Sequence, residues 1–253
     1  MDEAEVRRDL VDFGRRLHGR GFVAATDGNL SARLASGGFL CTPTALPKEE
    51  LREDLLSRLD AGGRPISGNP SSEWPLHLAL YQARPDVGAV VHAHPPFATA
   101  LACLGRGLDR PLLSEAVLAL GMVPLVPFEL PSTPDLARRT AEILGGGAAA
   151  LLSNHGAVAV GPDLRTAYYR METLEHTARI TLYTDALGGG RELPDAVVRD
   201  LDSMRARYAL ASAPGRPCDG CPAAGGGGRF VGEEDLVRLL SEFARFHSPG
   251  SMK

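Results

Sequence analysis

The chain has 253 residues, 44% of them hydrophobic, enough to bury a sizeable core in one domain or in one domain with an appendage. A formal net charge of −4 leaves no basic footprint for nucleic acid, so any anion site must be local. The apolar runs fall short of a membrane span, the acidic start Met1-Asp2-Glu3-Ala4-Glu5 is unlike a signal peptide, and four scattered cysteines are too few for a disulfide framework; the expectation is a cytoplasmic protein with neither nucleic-acid nor membrane partner.

Residues 3 to 18 pattern as an amphipathic helix, with Val6, Leu10, Val11, Phe13 and Leu17 near helical spacing and Arg7, Arg8, Arg15 and Arg16 mostly off that stripe. Gly19 and Gly21 end it. Asp27-Gly28-Asn29 is a turn signal, and residues 30–34 with 38–42 around Gly37 predict a hairpin. The stretch from Lys48 to Leu59, rich in Lys, Glu, Leu and Arg, favours helix when taken alone. Ser71-Ser72-Glu73-Trp74-Pro75 then opens a helix to about Arg84, with serine caps and a carboxylate and a proline in the first turn. Two hydroxyls at a helix N-terminus also make a phosphate cradle.

Val87 to Val91 reads as a buried strand that runs into His92-Ala93-His94-Pro95. Strand side chains alternate faces, so His92 and His94 point the same way and can reach one ion. His155, in Ser153-Asn154-His155-Gly156, lies between two more apolar runs. Three neutral imidazoles with one open position suit a catalytic zinc, although a histidine taken singly reads equally well as a hydrogen-bonded core residue.

Pro96 to Leu104 predicts a helix, Leu112 to Leu120 a short apolar segment and Val123 to Phe128 a strand. Ser132 or Thr133 caps a helix through Leu144 that Gly145-Gly146-Gly147 ends, and Asp163 caps the longest helical pattern, Leu164 to about Leu187. On that helix Glu172, Glu175, Arg179 and Asp185 read as a solvated face and His176 as a surface or packing residue; His18, His77 and His247 have no partners at metal spacing. Asp195 to Ala211 predicts a further helix. Residues 212–228 read as a Gly/Pro-rich linker or mobile loop, holding a Cys218-x-x-Cys221 pair with no second pair to complete a zinc site. Residues 229–253 read as a C-terminal helix, with Phe230 to Phe246 as its amphipathic stretch.

Five motifs in register, Asp27-Gly28-Asn29-Leu30-Ser31, Thr42-Pro43-Thr44, Pro70-Ser71-Ser72-Glu73-Trp74, His92-Ala93-His94-Pro95 and Asn154-His155-Gly156, resemble the class II aldolase and adducin family, above all its L-fuculose-phosphate aldolase branch, from about residue 5 to about residue 187. The resemblance implies an α/β fold of three layers, a central antiparallel sheet flanked by helices, with residues 1–211 as the catalytic domain and a C4 homotetramer with active sites at subunit interfaces. It implies His92, His94 and His155 as metal ligands, for Zn2+ with Mn2+, Co2+ or Fe2+ as alternatives, and Glu73 as the catalytic base and a fourth ligand before substrate arrives. Gly28, Asn29, Thr44, Ser71 and Ser72 are implied to hold a substrate phosphate. For residues 48–60 it implies a short helix at 48–51 and a strand near 54–60, against the local helix bias.

The implied reaction is reversible cleavage of a ketose 1-phosphate to dihydroxyacetone phosphate and an aldehyde. Decarboxylases, sugar-phosphate 4-epimerases and dehydratases of the same family form similar enolates and are the alternative; a non-catalytic scaffold of the adducin type is a third, from which the three histidines set this chain apart. Two departures bear on specificity. Ala45 follows Thr42-Pro43-Thr44 where the fuculose-phosphate pattern has glycine, and a Cβ there restricts positive φ. Glu115 aligns with a tyrosine that the family's aldolase receives from the neighbouring subunit to protonate the departing aldehyde; by itself it reads as an exposed helix carboxylate.

Overall fold

A computed structural model describes residues 2–207. The linker at 212–228, the Cys218 and Cys221 pair and the segment 229–253 lie outside the described residues. Helices α1 (Glu3–Gly19), α2 (Trp74–Ala83), α3 (Pro96–Cys103), α4 (Ser114–Ala119), α5 (Pro134–Leu144), α6 (Leu164–Ala186) and α7 (Asp195–Arg207) surround strands β1 (Asn29–Arg33), β2 (Phe39–Cys41), β3 (Ser57–Leu59), β4 (Pro65–Ser67), β5 (Ala89–Ala93), β6 (Leu125–Val126), β7 (Ala149–Leu152) and β8 (Gly156–Gly161). The strands form one sheet in the order β4-β3-β2-β1-β5-β8-β7-β6.

Alternation along the strands divides the core between the two faces. Leu30 and Ala32 of β1, Val91 of β5 and Ala159 of β8 pack with Leu10 and Phe13 of α1 and Met171 of α6. Phe39 of β2, Val90 of β5 and Val158 of β8 pack on the other side with Trp74 and Leu80 of α2 and Leu136 of α5. The result is the expected three-layer α/β arrangement. The sheet is mixed rather than purely antiparallel, because β6 runs parallel to β7 while the other pairings are antiparallel. Two parallel neighbours need a crossover connection, and α5 supplies it.

Residues 48–60 follow the resemblance rather than local propensity: short 3-10 turns at Lys48–Glu50 and Glu53–Leu55 lead into β3. Pairing with β2 decides this, since Leu59 opposite Phe39 buries apolar surface that an isolated helix would leave in water. The solvated face expected on α6 is corrected. Glu175 is buried, and its two carboxylate oxygens accept from the amides of Phe97 at 3.0 Å and Ala98 at 2.8 Å, capping α3 from a neighbouring helix. Asp185 bridges Arg106 and Arg110. Among the described residues, no helix is long and apolar enough to cross a membrane.

Candidate metal centre and its pocket

β1 and β5 are antiparallel neighbours with Asn29 directly opposite His92, so both side chains, with Ser31 two residues on, face the α2 layer. His92 is fully buried, and its Nδ1 lies 2.9 Å from the Ala157 carbonyl of β8. His94, just past the end of β5, places Nδ1 3.3 Å from Asp27 Oδ2. A carbonyl and a carboxylate only accept, so both Nδ1 atoms carry the proton and both Nε2 atoms present lone pairs. Those Nε2 atoms are 3.2 Å apart.

His155 sits in the tight turn between β7 and β8, after Asn154 at φ +54°, a conformation asparagine tolerates better than most residues. Gly156 follows because a Cβ there would fall 2.5 Å from the Ala93 carbonyl oxygen. His155 Nε2 lies 3.3 Å from Glu73 Oε1, and His92 Nε2 lies 3.1 Å from Glu73 Oε2. One ligand atom from each of His92, His94 and His155 lies within 4.8 Å of the other two; among the described residues these form the one such cluster. Lone pairs aimed at one another and at a carboxylate repel, and a divalent cation between them turns that repulsion into ligation. The residues present therefore fit a three-histidine metal centre.

Burial opposes the charge on Glu73, yet His92, His155 and the Asn29 amide outweigh it and hold the carboxyl well below its ordinary range. Burial also opposes a charge on His92, and the facing Glu73 carboxylate reverses this and raises it. His155 is pushed down to about 4 by burial and by its histidine neighbours. Glu73 therefore stands ready as an acceptor.

The orientation of Glu73 comes from a polar chain between strand and helix. Residues two apart on β1 and four apart on α2 advance by similar distances, about 6–7 Å, so Asn29 and Ser31 interleave with Glu73, His77 and Tyr81. Asn29 Nδ2 donates to Glu73 Oε2 at 2.9 Å, and Asn29 Oδ1 is 2.5 Å from His77 Nε2. His77 Nδ1 is 2.7 Å from Ser31 Oγ, which is 2.8 Å from the Tyr81 hydroxyl. Because the amide oxygen only accepts, His77 carries its proton on Nε2, and its Nδ1 accepts from Ser31. Burial pushes His77 down to about 3, so it stays neutral.

A pocket of about 300 Å³ opens above the cluster, lined by Thr26, Asp27, Gly28, Asn29, Pro43, Thr44, Ala45, Ser71, Ser72, Glu73, His94, Pro131, Ser132 and His155. Every residue read from the sequence as metal-ligating, catalytic or phosphate-holding lines it, except His92, which lies fully buried beside Glu73. Gly28 takes φ +71°, and a Cβ there would meet the His92 carbonyl oxygen at 2.9 Å. Ala45 keeps a positive φ of +54° despite its Cβ, so the departure from glycine leaves this loop left-handed.

Two expectations about this region change. α2 starts at Trp74 with Glu73 at the N-cap rather than in the first turn, and the serines do not cap α2 itself: Ser71 Oγ accepts from the Glu73 amide at 3.2 Å. Glu115 is exposed on α4, accepts from the neighbouring Ser114 hydroxyl at 3.0 Å, and lies in a separate hollow with Phe97 and His176. Sequence reasoning passed over His77, Asp27 and Lys48. The traces of the first two were the four-residue spacing from Glu73 to His77 and an aspartate ahead of Gly28-Asn29; Lys48 left none.

Comparison with known proteins places these features in context. The family model of the class II aldolase and adducin N-terminal domain matches residues 8–182. The 3-oxo-tetronate 4-phosphate decarboxylase of Escherichia coli K12 is 39% identical over 184 residues, covering 70% of this chain and 86% of that protein. L-fuculose phosphate aldolase of the same strain is 34% identical over 190 residues, covering 74% and 87%. Among solved structures, YgbL from Escherichia coli, its assignment left open between aldolase, epimerase and decarboxylase, superposes with a TM-score of 0.75 at 36% identity, covering 79% of this chain and 99% of its own.

Proposed function

The chain belongs to the class II aldolase and adducin family, and from that premise we propose that it is a metal-dependent carbon–carbon lyase acting on a small phosphorylated ketose or keto acid. The observation that carries the reading is the convergence of three imidazoles on one another, two of them also against the Glu73 carboxylate, beneath a pocket lined by hydroxyls and a glycine turn. His92, His94 and His155 hold the divalent ion, zinc by ligand preference and Mn2+, Co2+ or Fe2+ by the same geometry. When bound, the ion supplies Lewis-acid polarisation of the substrate carbonyl and stabilises the charge left by carbon–carbon cleavage, in place of a Schiff-base lysine.

Glu73, ionised and steered by the Asn29 amide, moves the proton at the reacting carbon. Gly28, Thr44, Ser71 and Ser72 receive the phosphate through backbone amides and hydroxyls, with Asn29 shared between that group and Glu73. The first reading is reversible cleavage of a ketose 1-phosphate to dihydroxyacetone phosphate and an aldehyde. The second, decarboxylation of a 3-keto acid phosphate, is favoured by the 39% identity to decarboxylases against 34% to aldolases. It also fits Glu115, since departing carbon dioxide needs no acid to protonate it. Residues 1–211 make the catalytic domain of a cytoplasmic homotetramer in this proposal.

Proton exchange at C3 of dihydroxyacetone phosphate in D2O, with zinc-loaded protein and no aldehyde, tests the shared step. Stereospecific exchange of one hydrogen supports enediolate formation, which both readings need, and E73Q should slow it by about 10²- to 10⁴-fold at unchanged zinc content. Release of carbon dioxide from a 3-keto acid phosphate selects the second reading, and condensation of dihydroxyacetone phosphate with an aldehyde selects the first. Full activity in E73Q would remove Glu73 from the mechanism.

A further inference from the structure

Lys48 opens the first 3-10 turn and is 1% exposed, a rare condition for an ammonium unless something compensates it. Among the described residues, no carboxylate lies within ion-pair distance of it. Its Nζ donates instead to two backbone carbonyls, Thr26 at 3.1 Å and Leu46 at 2.9 Å. These carbonyls belong to the two loops that wall the pocket: Thr26 leads into Asp27, Gly28 and Asn29, and Leu46 follows Pro43, Thr44 and Ala45. One side chain therefore ties the walls together from behind.

The lining of that pocket contains no lysine or arginine. Its donors are neutral hydroxyls and amides, and its rim carboxylate, Asp27, is directed at His94. A dianion entering here leaves water for a site behind whose two loops the Lys48 ammonium is held by the Thr26 and Leu46 carbonyls. We propose that Lys48 is the built-in positive charge of the pocket, stapling its two walls and selecting ligands with a dianionic phosphate end over neutral sugars. The proposal rests on reading this pocket as the phosphate site, and it adds a residue from outside the motifs that suggest that site. Burial lowers Lys48 to about 8, partly offset by Cys41 and Asp27, and Cys41 is itself pushed up to about 12 and stays a thiol. At pH 7 the ammonium form prevails.

Separating the charge from the staple is the purpose of the test. Glutamine is close in reach and still donates to a carbonyl, but carries no charge; arginine keeps the charge; methionine removes both. Binding of inorganic phosphate to the zinc-loaded full chain is followed by calorimetry and 31P NMR, with zinc content and thermal midpoint measured on each variant. K48Q and K48M should bind phosphate at least about tenfold more weakly than wild type at equal zinc content, while K48R stays close to wild type. K48Q binding as tightly as wild type would overturn the role of the charge, even if K48M fails to fold. Wild-type protein that binds no phosphate at tens of millimolar would overturn both this inference and the phosphate reading beneath it, whereas binding that is indifferent to Lys48 leaves that reading standing.

Discussion

The amide of Asn29 is held at both ends: its nitrogen donates to Glu73 Oε2 at 2.9 Å, and its oxygen faces His77 Nε2 at 2.5 Å. A flipped amide would set an oxygen against the Glu73 carboxylate, which only accepts, so Glu73 takes the Asn29 nitrogen and the amide oxygen is left to His77. His77, with no place in the metal cluster, holds the far end of the amide that meets Glu73.

His77→Leu should leave Asn29 Oδ1 buried without its partner, while the Ser31 hydroxyl keeps Tyr81. With about 1–3 kcal/mol for an unsatisfied buried group, a loss of that size in urea unfolding is expected. Turnover should fall while zinc content holds, and His77→Gln, which retains a donor, should recover part of both. A leucine variant as stable as wild type would contradict the network.

Asp27 orients His94 from outside the ligand set. Removing such a partner typically weakens metal affinity about 10- to 100-fold, so Asp27→Ala should release zinc to a competing chelator at correspondingly lower chelator concentration. Asp27→Asn, which keeps an acceptor oxygen, should fall between the two. Unchanged zinc affinity in the alanine protein would show that His94 needs no orienting group.

Glu175 caps α3 through two backbone amides, so Glu175→Gln, with one acceptor oxygen instead of two, should cost about 1–2 kcal/mol. Burial raises the Glu175 carboxyl above its ordinary value, with the Ala98 and Phe97 amides partly offsetting the shift. A raised folded value means that the stability contributed is full below the unfolded value of 4.5 and is lost as pH rises through the folded value. The stability difference between wild type and Glu175→Gln should therefore shrink as pH rises across that window. A difference that grows with pH would reverse the assigned shift.

Ala45 holds φ +54°. For an L-residue this conformation costs roughly 1–2 kcal/mol, while glycine loses about 0.5–1 kcal/mol of chain entropy. Ala45→Gly should raise stability by about 0.5–1 kcal/mol in urea unfolding, and a neutral or lower value would show that the loop is unstrained.

The three histidines that the fold brings together were legible because their signal is local. His92 and His94 share a face by strand periodicity, and His155 stands in a tight turn between two apolar runs, so spacing and composition alone suffice to nominate them. The residues proposed for the phosphate side came instead from the family resemblance, carried by short motifs in glycine- and serine-bearing turns, and they line one pocket. α1, α3, α5 and α6 followed from apolar spacing and from caps such as Thr133 and Asp163, whose side chains accept from Leu136 and Thr166.

What depended on residues distant in the chain stayed hidden. The charge of Glu175 suggested solvent until α3 brought two unpaired amides against it, and Lys48 reads as an ordinary surface lysine until two loops close over it. His77 pairs with Asn29 across 48 positions, through a match between strand and helix rise that exists only once α2 lies on β1. Periodicity and turn chemistry act between neighbours, and they determined the elements and nominated the histidine cluster. Hydrogen-bond satisfaction and desolvation act between whichever groups packing brings together, so only the tertiary structure decided how Glu73 is aimed, how α3 is capped and where the buried charge lies.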